Sequence, residues 1–224
     1  MKIVVGMVKG IMMIKNSTMK LLSFLLISSG LLISVIGKAQ TNTYDVIVAG
    51  RTIGSLKVFD NEAKNDTETH RIESDFKVLF YKGKYATKTD FVQGKLVSAV
   101  SAHHVNGDLK EKTQTKTSAK SLYEIWFSGE DGEDKPKKVF NAPINNTVTS
   151  LYYKEPVNIT QVYSERYGQM CKIKKLSEGN YGVDLPDGKQ GIYTYKNGQC
   201  KEVKTDLAGF KLRIVLNEGK NSLK

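Results

Sequence analysis

The chain has 224 residues, 34 of them lysine or arginine against 23 acidic ones, for a formal charge of +11. Five of those lysines fall in residues 1–40, which hold no acid, so the remainder stands at +6, scattered among Asp, Glu and Thr rather than gathered in a basic stripe with interleaved aromatics. That pattern argues against a nucleic-acid binder, while a mildly basic surface still attracts anionic headgroups or acidic glycans without a dedicated site.

Residues 20–40, KLLSFLLISSGLLISVIGKAQ, read as an export signal: a lysine, an apolar run over 21–36, and a small-x-small site with cleavage after Ala39. The run is broken by Ser23, Ser28, Ser29, Gly30 and Ser34 and is short of the ~20 apolar residues that a membrane span needs. Residues 1–18 make an unusually long leading region, and Met12, Met13 and Met19 are alternative starts. No cysteine sits at the cleavage site, so a lipoprotein is not expected. The expected location is the periplasm or outer envelope of a Gram-negative bacterium, with no transmembrane segment after residue 40. Residues 41–218 are expected to form a single β-rich domain and 219–224 a flexible tail.

From residue 44 onward the pattern is period-two alternation bounded by turn signals, the mark of half-buried antiparallel strands. Strands are expected at 44–49 (YDVIVA) and 55–59 (SLKVF) around GRTIG, then at 69–81. Turns at Lys82-Gly83-Lys84 and Gln93-Gly94-Lys95 frame strands at 85–92 and 96–105. Asn106-Gly107 is a strong two-residue hairpin signal, returning as the threonine- and charge-rich strand 108–117 with one face in water. Strand 121–127 (SLYEIWF) precedes SGEDGEDKP, which reads as loop. The one helix candidate is 145–154, ended by Glu155-Pro156. Six closely spaced strands then run from 159 to 216, through turns at 166–168, 177–179, 186–190 and 196–199. The expected fold is all-β and mainly antiparallel: a strongly curved meander, half-open or closed as a barrel, with one short helix.

Cys171 and Cys200 form an even pair, which in an oxidising compartment permits one disulfide closing the loop between them; two buried free thiols are the alternative. His103 and His104 are adjacent on a strand and should face opposite ways, so a metal site would need His70 to join one of them with Asp75 or Asp90. No GxSxG elbow or phosphate-cradling glycine loop is present, and Glu130, Asp131, Glu133 and Asp134 crowd into one loop with Glu124 nearby. That crowding reads as a solvated acidic loop rather than a carboxylate pair or calcium site. No cofactor is expected. The eleven tyrosines carry more information. Tyr123, Trp126 and Phe127 with Tyr152 and Tyr153 of the helix candidate could line an apolar groove, or simply fill the curved sheet.

The segment EPVNITQVYSERYGQ at 155–169, YGVDLPDGKQGIYTYKNGQCKEV at 181–203 and the opening YDVIVAGRTIGSLKV resemble the exported bacterial family called domain of unknown function 6134, and more distantly the family numbered 3108. The resemblance implies a curved, exported β domain and carries no activity with it. Three readings follow. The leading one is a non-enzymatic envelope protein binding a hydrophobic or lipid-like ligand in the curved sheet. The second is a structural module pairing with another envelope protein, and the third a hydrolase on an unfamiliar β scaffold. An outer-membrane barrel is disfavoured, because DLKEKTQTKT and CKEVKTD have too little apolar surface on either face.

Overall fold

The computed structural model describes residues 41–60, 66–119, 121–129, 134–207 and 209–221. The export segment expected in residues 1–40, the acidic loop residues Glu130, Asp131 and Glu133, and residues 222–224 lie outside these. Fourteen strands form one sheet. They are β1 (Asn42–Val48), β2 (Arg51–Phe59), β3 (Thr67–Val78), β4 (Tyr81–Val92), β5 (Lys95–Val105), β6 (Asp108–Ala119), β7 (Leu122–Gly129) and β8 (Asp134–Asn141), followed by β9 (Gln161–Ser164), β10 (Gln169–Ser177), β11 (Asn180–Asp184), β12 (Gln190–Lys196), β13 (Gln199–Leu207) and β14 (Phe210–Leu216).

The order is β8 through β1 in sequence, then β14 back to β9, so the first and last strands pair at the centre, with Tyr44 opposite Leu216 and Val46 opposite Ile214. Each half is a meander of hairpins. Strands β8 and β9 end the order and do not pair with each other, so the sheet is unclosed. So many strands cannot lie flat without curling, because twist accumulates from pair to pair. The connection from β8 to β9, residues 142–160, crosses the hollow of the curl as an internal strap. Its Ile144 is fully buried and Leu151 is 2% exposed. The strap's backbone bonds the sheet at two places: Leu96 N–H donates to the Ile144 carbonyl at 2.8 Å, and Val148 N–H to that of Tyr163 at 2.9 Å.

The short helix expected within 145–154 is present as a single 3₁₀ turn, Thr149–Tyr152, and does not extend to the whole of that range. Thr147 and Ser150 exchange side-chain and backbone bonds at 2.8 and 2.7 Å, an alternative to helical pairing that suits hydroxyl residues.

Two glycines read as turn signals sit inside strands. Gly83 is within β4, where a Cβ would meet the Phe76 ring at 2.7 Å; the turn falls instead at Leu79-Phe80. Gly54 is within β2, opposite Phe76 of β3, and the first turn is Ala49-Gly50. Both glycines admit close approach rather than positive φ. Strand β8 was also not expected, because the acidic, glycine-bearing loop before it masks its start. The tail expected from Gly219 carries one helical turn, α1 (Glu218–Asn221), tied down by Asn221 Oδ1, which accepts the Thr43 N–H at 2.9 Å.

Two cores fill the curl. The larger joins β1–β3, β9–β14 and the strap through residues such as Tyr44, Val58, Tyr152, Val162 and Tyr193. The smaller holds Phe91, Leu96, Tyr123, Ile125, Ile144 and Tyr163. The threonine-rich strand β6 turns Thr113 and Thr115 inward, 4% and 1% exposed, where Thr115 Oγ1 and the Tyr163 hydroxyl share a 2.7 Å bond. The β9–β10 turn packs on that same inner surface: a Cβ on Gly168 would meet Ile125 and Phe127 at 2.7 Å.

Tyr123 links the strap to β5 directly. Its hydroxyl donates to the Leu96 carbonyl at 2.9 Å and accepts the Ile144 N–H at 3.3 Å, all buried. Tyr123→Phe strands two buried backbone groups and should lower stability by about 1–3 kcal/mol in urea unfolding, with the slope unchanged.

Candidate functional site

One cavity of about 140 Å³ remains between the strap and the larger core, partly open to solvent. Its walls are mainly apolar, with Val46, Leu56, Ile72, Phe76, Val183 and Val203 from five strands. These positions alternate along their strands with outward residues, so the period-two pattern itself aims them at one hollow. Tyr152 of the strap and Tyr193 of β12 meet edge to face at 6.0 Å beside it.

One wall is polar. Tyr85 lines the cavity, and its hydroxyl accepts a bond from Ser101 Oγ at 3.1 Å. Arg166, also lining it, is ion-paired with Glu111 of β6, its Nη2 lying 3.2 Å from Oε2. Next along β5, His103 Nε2 lies 3.1 Å from the Tyr81 hydroxyl, and burial pushes the imidazole below its ordinary pKa. Behind these sits Glu165, 2% exposed, whose Oε1 accepts the Thr149 N–H of the strap at 3.0 Å. Burial raises its carboxyl above the usual range, against the opposing effect of bonds from Thr149 and Thr147.

The five aromatic residues expected to line a groove are dispersed. Only Tyr152 reaches the cavity. Tyr123 and Phe127 belong to the smaller core, and Trp126, alternating with them, points to the opposite face of β7, where Lys137 stands 5.3 Å over its ring. Tyr153 stacks on His70 with centroids 4.1 Å apart, and its hydroxyl accepts the Arg71 N–H at 2.7 Å while lying 2.7 Å from the Phe59 carbonyl. A shared role in pinning the strap, rather than a shared groove, explains Tyr123, Tyr153 and also Tyr195, whose hydroxyl donates to the Leu151 carbonyl at 2.6 Å.

The histidines do not converge. His70 Nε2 bonds Glu68 at 2.8 Å, while His103 faces Tyr81 and the adjacent His104 faces the other way on β5. Among the described residues no group of three His, Cys, Asp or Glu side chains could hold a metal ion.

The disulfide between Cys171 and Cys200 is not formed; both are buried free thiols. Cys171 is on β10 and Cys200 on β13, three strands apart in the sheet order. That separation is roughly 14 Å by strand spacing alone, beyond the reach of a bridge. Burial pushes the Cys171 thiol up to about 11 and the Cys200 thiol up to about 12. Thiol titration should therefore find both groups unreactive in the native protein and both free in denaturant, with the same thermal midpoint with and without reductant.

The opening hairpin, the strand pair around Asp187-Gly188 and the whole meander between them match one family model, the domain of unknown function DUF6134, over residues 44–217. The chain belongs to the DUF6134 family. No curated protein matches it. Among solved structures it is similar to the β-barrel-like protein of domain of unknown function DUF1849 from Brucella abortus, with a TM-score of 0.46 and 11% identity, covering 80% of this chain and 95% of that one. Among the described residues no helix is long and apolar enough to cross a membrane.

Sequence reading missed Tyr85, Arg166 and Glu165 of this DUF6134 chain. Alternation announces an inward position but not what it faces, and RYG at 166–168 reads only as a turn.

Proposed function

We propose that this protein is exported to the cell envelope and there holds one small, mainly apolar ligand between the sheet and the strap, without catalysing a reaction. The cavity supports this reading. An apolar hollow of about 150 Å³ accommodates a benzene-sized group, and the one here is about 140 Å³. It suits a ring or a short alkyl segment, with a polar end set against Tyr85 and Arg166, and is too small for a whole lipid. Export is supported by the signal-like run of residues 20–40.

The test is native mass spectrometry of protein purified from envelope fractions, followed by organic extraction. A bound mass that disappears on extraction is expected; a bare chain with an empty extract sinks the reading. Val203→Phe, which fills the hollow, should remove the bound mass while leaving the circular dichroism spectrum unchanged.

A second reading, docking to another envelope protein, draws on β8, which ends the sheet order with Val139 61% exposed. Lys137 and Lys138, both exposed beside it, discourage strand addition. Crosslinking in intact cells that recovers one stoichiometric protein through Val139 would favour this second reading.

A further inference from the structure

The two most exposed large apolar side chains among the described residues are neighbours: Leu79 is 80% and Phe80 95% exposed. They form the whole of the two-residue turn between β3 and β4, since Val78 and Tyr81 pair directly. Leu79 sits at φ 49°, a left-handed conformation that disfavours a branched apolar side chain. Other two-residue turns of the same sheet meet that demand with Asn106-Gly107 and Asn197-Gly198, which suit it. Local folding preference therefore does not explain leucine and phenylalanine at this tip, and water does not favour them either.

The pair stands on a rigid base. Tyr81 has Phe76 on one side and Phe210 on the other, each with centroids 5.9 Å away. Directly behind the tip, Lys77 of β3 and Lys82 of β4 are cross-strand partners, both exposed, and no described acid pairs with either. Like charges set opposite each other in a sheet are destabilising unless an external anion lies between them. Lys84 follows on the same hairpin, 3.7 Å from Asp75, and Lys211 is exposed on the neighbouring β13–β14 hairpin.

We infer that the β3–β4 tip docks on an anionic lipid surface, with Leu79 and Phe80 inserted among the acyl chains and Lys77 and Lys82 held at the phosphate level. Apolar tip and basic collar are in the order that an interface imposes: rings and branched chains deepest, ammonium groups at the headgroups. A folded protein partner would more commonly present a concave apolar pocket with its own charges; the unpaired lysine couple matches a surface that is negative everywhere. This assignment stands independently of what the cavity holds. The two features do share one end of the sheet: the cavity-lining residues Phe76, Leu185 and Asp206 lie near the strand ends on the side of the β3–β4 tip.

Among the described residues all fourteen strands and both cores lie within 42–221, so the chain from Thr41 carries them, and it lacks the apolar residues 21–36, which would bind lipid themselves. It should float with phosphatidylethanolamine–phosphatidylglycerol vesicles and not with phosphatidylcholine ones. The double variant Leu79→Asn, Phe80→Gly installs the turn already used at Asn106-Gly107, so it should fold. It should lose roughly tenfold or more in partitioning. Lys77→Gln and Lys82→Gln should each lose about fivefold. Phe80→Trp, combined with Trp126→Phe because Trp126 is the single tryptophan, should shift its emission to the blue on adding anionic vesicles. Equal partitioning of the tip variant, no emission shift, or no binding of the wild type to any vesicle overturns the assignment; the last outcome would instead indicate a protein partner.

Discussion

Gly54→Ala is expected to lower the thermal midpoint by about 8–12 °C or to leave the protein insoluble, corresponding to a loss of about 3 kcal/mol or more. A Cβ at this position would stand 2.1 Å from the Asp75 carbonyl oxygen and 2.5 Å from Phe76 Cα. Both are backbone atoms of a paired strand and cannot swing aside as a side-chain end would. The register of β1 on β2 shifts immediately beside Gly54, between Val46 and Ile47, so the strands are already bent to reach this approach. The matched control is Gly129→Ala, where an added Cβ meets nothing within 4 Å. It should change stability by no more than about 0.5 kcal/mol. Differential scanning calorimetry of the two variants separates close approach from a general intolerance of substituted glycines.

Glu165→Ala is expected to cost about 2–4 kcal/mol, because it leaves the Thr149 N–H without its acceptor and opens a small void under the strap. Glu165→Gln should behave differently, and pH distinguishes the two. Burial raises the folded-state pKa of Glu165, so the folded protein holds this proton more tightly than the unfolded chain does. The stabilisation linked to that proton is present below the unfolded value of 4.5 and is lost as pH rises through the folded pKa. Gln keeps an acceptor for Thr149 and carries no charge to desolvate. The midpoint of Glu165→Gln relative to wild type should therefore rise between pH 4 and pH 7. His70 and His103, both lowered by burial, act in the opposite direction, destabilising the fold as pH falls below 6.5. They are present in both proteins and cancel in the difference. A midpoint difference independent of pH would mean that Glu165 is not held in the raised state.

The meander was legible because its signals are local. Alternation along GIYTY places Tyr193 and Tyr195 on one face, and Asn106-Gly107 fixes a hairpin, without reference to anything distant. The centre of the sheet was not legible, since Tyr44 pairs with Leu216 across nearly the whole described chain and no short pattern records it. The same holds for the strap. Residues 145–154 carry a helix-like start and a proline stop, but Asn146 and Val148 bond Tyr163 of the sheet, which leaves room for only one 3₁₀ turn after them. Gly54 and Gly83 misled for a related reason: a glycine required by a neighbouring strand looks, in sequence, like a glycine required by a turn. Of the candidate site, Tyr152 was visible as an aromatic on an inward element. Tyr85, Glu165 and Arg166 were not, because their importance depends on which strand faces them across the curl.

The central claim is that the hollow under the strap takes an apolar guest, and calorimetric titration of a series of n-alkanols from four to ten carbons into the chain from Thr41 tests it most directly. Affinity should climb about fourfold per methylene until the cavity is filled, near six carbons, and then level off. In Val203→Phe the heat should vanish across the series. Absence of binding at every length, or a wild-type series unchanged in Val203→Phe, would contradict the claim.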